Sequence, residues 1–250
     1  MPVDPTAWMA RLEARHLATL QFSEVSRALR ALSSAYVERR ETALARHRVL
    51  DGAGKRAAFA LYYGPLHFLA TTSVLQLLAS DLPPDRLRRP VIDLGCGTGA
   101  AGAAAALATA APSVHGIDAH PWALDEARDT YATFGLAGTV ARGIAGRLRV
   151  PRRPSLIVLS YVVNELPEAE RAALRHTLLD AVGRGSGMLV IEPMARSAAP
   201  WWADWVEAFA PRGARADEWK LAVTPPPLVQ RLGKAAGLTA TQVNLRTLLA

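Results

Sequence analysis

Two textures of hydrophobic patterning divide the chain. From Thr6 to Leu50, apolar residues return at Trp8, Leu12, Leu17, Leu20, Val25, Leu29 and Leu32 with polar residues between them. This is the spacing of amphipathic helix. No Gly or Pro interrupts the run, which is long enough for two or more helices. Residues 51–54 (Asp-Gly-Ala-Gly) predict a loop, and residues 55–79 a further helical stretch with a break at Gly64-Pro65. Residues 81–85, with Pro83 and Pro84, read as a linker. Beyond Pro90, short runs that are apolar throughout alternate with helical stretches. Strands are expected at 91–94, 114–118, 139–142, 155–160 and 188–191, and helices at 98–110, 121–134 and 168–182. Strands without polar alternation belong to a parallel sheet covered on both faces. The tail predicts helices at 198–209 and 228–236 and a last strand at 240–245. The expected architecture is α/β, a doubly wound, mostly parallel sheet over residues 86–250, preceded by an all-helical extension over residues 1–85.

The residues between the first strand and its helix carry the chemistry. Asp93-Leu-Gly95-Cys96-Gly97-Thr-Gly99-Ala-Ala-Gly102 is a glycine-rich turn between a strand and a helix. Glycine admits positive φ and leaves room for a ligand against the backbone, and the helix start presents free N–H groups. Gly97 to Gly102 match the GxGxxG spacing of dinucleotide folds, with Asp118 at the end of the second strand. Asp93 weighs against a dinucleotide, because a carboxylate at the strand tip repels a pyrophosphate. An ammonium group there is attracted and hydrogen-bonded, directly or through water.

Read from Asp93, the turn resembles motif I of class I S-adenosylmethionine-dependent methyltransferases, which build a Rossmann-like sheet. The resemblance implies S-adenosylmethionine as cofactor. It implies a cofactor-binding set of Asp93, Gly95, Cys96, Gly97 and Gly99, with Asp118 on the ribose hydroxyls. Ala119 and His120 lie beside the adenine, with Trp122 close by, Gly143 and Ile144 stand where backbone atoms would hold it, and Ser160 closes the set. Many relatives carry an acidic residue after the third strand; residues 141–146 here have none. The family sheet ends in an antiparallel strand pair; either Trp219–Val223 supplies one member or the pair is incomplete. A bare glycine turn, a dinucleotide oxidoreductase and a non-catalytic relative are the competing readings.

The acceptor is expected at the carboxyl ends of the strands. Tyr161, Asn164 and Glu165 follow the fourth strand and are the catalytic candidates, with His67 of the helical extension as a possible base. Asn164 and Glu165 could equally cap the next helix, and His67 with Phe59, Tyr62 and Tyr63 could equally be core. Glu192-Pro193 would flank the crevice. Trp201, Trp202 and Trp205 fit base stacking or plain packing. Cys96 is the one cysteine, which excludes a disulfide framework and a cysteine metal cluster, and no metal site is expected. The Asn/Asp-Pro-Pro-Tyr signature of many nucleic-acid amino methylases is missing.

Residues 58–64, 160–167 and 187–193 are similar to the small-ribosomal-subunit-associated methyltransferase-like family, although the cysteines typical of that family are missing. That likeness implies a ribosomal RNA or ribosomal-subunit partner. A formal net charge of +7 agrees with it. Residues 1–90 hold 13 Lys or Arg against 8 Asp or Glu, and Arg147, Arg149, Arg152 and Arg153 form a second cluster. A skew to 26 Arg over 3 Lys, with abundant Ala, points instead to GC-rich coding. A small-molecule acceptor under a helical lid is the alternative, and a non-catalytic ribosome-assembly factor a third. No charged residue occurs from 57 to 80, but its polar and Gly-Pro positions predict buried helix rather than a membrane span. A cytoplasmic protein is expected.

Overall fold

The computed structural model describes residues 5–38, 50–78, 88–147, 150, 152–195 and 199–250. The proposed linker at 81–85 and Arg149 of the second basic cluster lie outside them. The helical pattern of the extension resolves into α1 (Thr6–His16) and α2 (Phe22–Glu38), then α3 (Ala53–Ala58) and α4 (Gly64–Leu78). The break expected at Gly64-Pro65 does not occur. A π-helical turn, Phe59–Tyr63, joins α3 to α4 without a loop. Proline has no N–H to give and crowds the preceding turn of an α-helix, and widening that turn lets the helix run on.

The sheet has seven strands in the order β3-β2-β1-β4-β5-β7-β6. β1 (Val91–Leu94), β2 (Val114–Asp118), β3 (Gly138–Arg142), β4 (Leu156–Ser160) and β5 (Gly187–Pro193) are parallel. β6 (Arg215–Ala222) and β7 (Gln242–Leu249) add the antiparallel pair. The pair is therefore complete, and Trp219 lies inside β6 facing Leu245. α5 (Ala100–Ala108) follows β1, α6 (Pro121–Thr133) follows β2, α7 (Glu168–Gly183) follows β4, and α8 (Trp202–Phe209) and α9 (Pro227–Ala236) flank the last strands. This is a Rossmann-like, doubly wound, mostly parallel sheet with N-terminal helices ahead of it. No helix among the described residues is long and apolar enough to cross a membrane.

The sheet separates two hydrophobic clusters. One joins α1, α2, α4, α5 and α9 to the sheet, and the other holds α7 and α8. The extension thus shares a core with the sheet. The small side chains of α5, Ala or Gly from 100 to 106 and all buried, let α4 pack close. α1 is anchored on α6 by Trp8, which is 1% exposed and donates from Nε1 to Thr130 Oγ1 at 3.2 Å. Trp8 also packs on Phe68 and Phe134 with centroids 5.5 Å away. Arg11 and Arg15 pair with Asp129, and Arg15 and His16 with Glu126. Trp201 and Trp205 are buried with Phe209 in the α7–α8 cluster, so these two rings serve packing and not base stacking.

Candidate active site

The turn after β1 is built from left-handed glycines: φ is 70° at Gly95, 51° at Gly97 and 76° at Gly99. Their missing side chains face different things. A Cβ on Gly95 would lie 2.5 Å from Val162, and one on Gly99 2.9 Å from Ala127. These two glycines are demanded by protein packing. A Cβ on Gly97 would meet only the Phe59 ring, at 3.4 Å, so at Gly97 the bare backbone looks out toward the lid. The Cys96 side chain is turned inward against Gly116 and Tyr131, and burial pushes its thiol well up.

Asp93 is 1% exposed. Its Oδ2 accepts the Gly102 N–H at 2.9 Å and faces the Tyr131 hydroxyl at 3.4 Å. Burial raises its pKa to about 7, against the lowering effect of the Gly102 N–H. The carboxylate therefore braces the first turn of α5 from beneath. Asp118 bridges the two loops above it: Oδ2 accepts the Gly97 N–H at 2.9 Å and Oδ1 the His120 N–H at 2.8 Å. Each oxygen keeps a further lone pair for a ligand hydroxyl. Ala119, His120 and Gly143 stand close by, Gly143 giving its N–H to the Asp118 carbonyl at 3.0 Å. Ile144 is a large apolar residue 36% exposed. The Nδ1 of His120 is buried and has no partner.

The carboxyl ends of β4 and β5 meet beneath a row of rings. Phe59, Tyr63 and His67 follow one another along the lid at 5.9 and 6.1 Å between centroids. His67 stacks on Tyr161 at 4.5 Å. Burial lowers the His67 pKa to about 4, so its imidazole is neutral. Tyr161 has φ of 60°, a costly value for a bulky residue and typical of functional sites. Burial and then the Glu192 charge push its phenol well up.

Asn164 and Glu165 lie in a short 3₁₀ turn, Val163–Glu165, and α7 starts only at Glu168 with no side-chain cap. They do not cap that helix. The group that organises the turn is Glu192, fully buried at the end of β5, whose Oε1 accepts the N–H groups of Val163 at 2.8 Å and Asn164 at 3.3 Å. Burial raises its pKa to about 8, the two N–H groups and Arg246 opposing. Glu192 Oε2, Asn164 Oδ1 and Ser160 Oγ are buried without partners. Sequence reasoning placed Glu192 only at the rim; an acidic residue ending an otherwise apolar strand was the available signal. Tyr131 gave no such signal, and Phe59 stood only among the possible core residues. Among the described residues no cluster suited to a metal ion occurs.

Residues 91–186 match a family model described as a methyltransferase domain. Among solved structures, two of the methyltransferase domain of bacterial CtHen1 align with TM-scores of 0.50 and 0.51 at 14% identity, covering 74% of this chain and 98% of theirs. A S-adenosylmethionine-dependent methyltransferase from Aquifex aeolicus aligns with TM-score 0.47 at 14% identity, over 75% of this chain and 92% of that one. No curated protein matches by sequence. None of this bears on the narrower ribosome-associated likeness.

Proposed function

We propose that the chain is an S-adenosylmethionine-dependent methyltransferase, a reading supported by the methyltransferase-domain model that matches residues 91–186, and that it methylates a small molecule held between the N-terminal helices and the ends of β4 and β5. One observation carries this reading. The ring row Phe59–Tyr63–His67–Tyr161 roofs the strand ends where an acceptor must meet the cofactor. Such an apolar, covered site suits a small ligand better than a nucleic-acid backbone. Of the basic N-terminal region, Arg11 and Arg15 are engaged with Asp129 and Glu126 on α6, so these two charges do not support the ribosomal RNA reading.

The residues fit the cofactor. Gly97 leaves its backbone open on the lid side, the Asp118 carboxylate suits a ribose diol, and the orphaned Nδ1 of His120 offers a polar contact beside it. Gly143 and Ile144 would border the adenine, with Ala119 between them and the ribose site. Asp93 acts through the loop: by holding the Gly102 N–H it fixes the turn that cradles the methionine part. Bound there, the cofactor supplies an electrophilic methyl group. Tyr161 and Asn164 would orient the acceptor, and His67, held neutral, would shape the site as a ring, not take a proton.

The test is transfer of tritiated methyl groups into a small-metabolite extract and, separately, into ribosomal subunits, with Asp118→Ala as the control. Label in the metabolite fraction is expected. Label in ribosomal RNA alone would replace this reading with the ribosomal one. Cofactor binding with no label in either fraction would point to an assembly role.

A further inference from the structure

We propose that the acceptor is a primary or secondary amine and that the free oxygen of Glu192 is the atom that selects it. The inference rests on the small-molecule reading above and narrows it.

Glu192 cannot swing aside. Its Oε1 is tied to the Val163 and Asn164 N–H groups, and the residue is 0% exposed. Oε2 is left buried with no partner, an arrangement that costs free energy unless a ligand supplies a donor. The Arg246 guanidinium, opposite Glu192 in the β5–β7 register, bonds through Nε and Nη2 to the carbonyls of Pro193 and Met194. Asn164 Oδ1 is a second buried acceptor without a donor, on the residue whose N–H holds Oε1.

The surroundings choose among donors. Tyr161 lies within electrostatic reach of the Glu192 carboxylate, and His67 is stacked upon Tyr161. Aromatic faces attract a cation, and a neutral imidazole does not repel one. Glu165 adds negative potential at the same end of the sheet. A hydroxyl would give one donor and no charge, whereas an ammonium gives several donors and a positive charge that adds to that of Arg246 in favouring the carboxylate.

The exchange balances. Glu192, protonated in the empty folded site, releases that proton to water as the ammonium binds; the bound ammonium then gives one proton to the carboxylate and becomes a free amine. The amine lone pair attacks the methyl carbon, the C–S bond breaks as the N–C bond forms, and the products are a methylated ammonium and neutral S-adenosylhomocysteine. Glu192 keeps the amine's proton as the product leaves, which restores the empty site. A carboxyl group whose pKa is raised to about 8 is better matched to an ammonium than an ordinary carboxyl group is.

The experiment uses the full chain and the tritiated metabolite assay, run on extract before and after amine acetylation with an N-hydroxysuccinimide ester of acetic acid. Label should disappear after acetylation, and the labelled product should bind a cation exchanger. Glu192→Gln, which keeps Oε1 and the shape, should raise the acceptor KM by more than about tenfold, the loss of one charge-assisted hydrogen bond. Its affinity for S-adenosylhomocysteine in calorimetry should stay unchanged. Label that survives acetylation overturns the amine assignment and leaves the small-molecule reading standing. Cofactor binding with no label in any small molecule overturns both. A Glu192→Gln protein that loses cofactor affinity as well would reduce Glu192 to a structural support.

Discussion

The imidazole of His67 lies nearly flat on the phenol of Tyr161, with ring planes 20° apart. One ring comes from the helical extension and the other from the first residue after β4, so this pair ties the extension to the carboxyl end of the sheet. If the contact is the role of His67, shape matters and titration does not. His67→Phe should keep most methyl transfer, within about threefold, while His67→Ala should lose more than about tenfold through a gap in the roof. An equally large loss of steady-state rate in both variants would return His67 to the position of general base.

The same residue makes a pH prediction. Burial lowers its pKa to about 4 from 6.5. The unfolded state then binds a proton that the folded state refuses, so this contribution is complete above pH 6.5 and lost as pH falls toward 4. The full effect is at most about 3 kcal/mol. Urea midpoints of the wild type should fall over that window more than those of His67→Phe; parallel curves would refute the buried, neutral imidazole.

The three motif glycines should separate by readout. Alanine at Gly95 or Gly99 meets Val162 or the Ala127 backbone at under 3 Å, in a left-handed conformation. Each should cost about 1–3 kcal/mol of stability, seen as a lower Tm. Gly97→Ala meets only Phe59, at ordinary contact distance. It should fold with a penalty near 1 kcal/mol and lose its affinity for S-adenosylhomocysteine. Calorimetry showing undiminished affinity in Gly97→Ala would move the cofactor off this turn.

Legibility in the sequence followed the range of the interactions. The strand and helix positions were readable because fully apolar strands and the glycine turn are local signals. The same was true of the Asp93 and Asp118 positions, but not of their partners. The sequence did not disclose that Asp93 Oδ2 is held by Gly102 and Tyr131, nine and 38 residues away. Glu192 holds a turn 28 to 29 residues earlier, a pairing that only sheet register creates. A break was expected at Gly64-Pro65 because Gly-Pro normally stops a helix, and the π turn at Phe59–Tyr63 that carries the helix through has no local signal.

Asp93 and Asp118 should accordingly fail in different ways. Asp93→Ala leaves the buried Gly102 N–H without its acceptor and should cost about 2–3 kcal/mol of stability as well as cofactor affinity. Asp118→Ala, at a partly exposed position, should change Tm little and weaken S-adenosylhomocysteine binding by about tenfold or more. Paired calorimetry and thermal melts check both, and an equal loss of Tm in the two variants would remove the distinction.

Glu192 carries the opposite pH signature to His67. Its pKa rises from 4.5 to about 8 on folding, so the folded state holds a proton that the unfolded state releases. Stability from this group is complete below pH 4.5 and falls as pH rises to 8. Glu192→Gln is neutral throughout and keeps an oxygen for the Val163 and Asn164 N–H groups. The variant should therefore match the wild type near pH 4.5 and exceed it at pH 8.5, by up to a few kcal/mol. Asp93, raised to about 7 by burial, contributes in the same direction to both proteins and cancels from their difference. A Glu192→Gln protein less stable than wild type at pH 8.5 would mean that Glu192 is ionised in the folded protein and paired with Arg246.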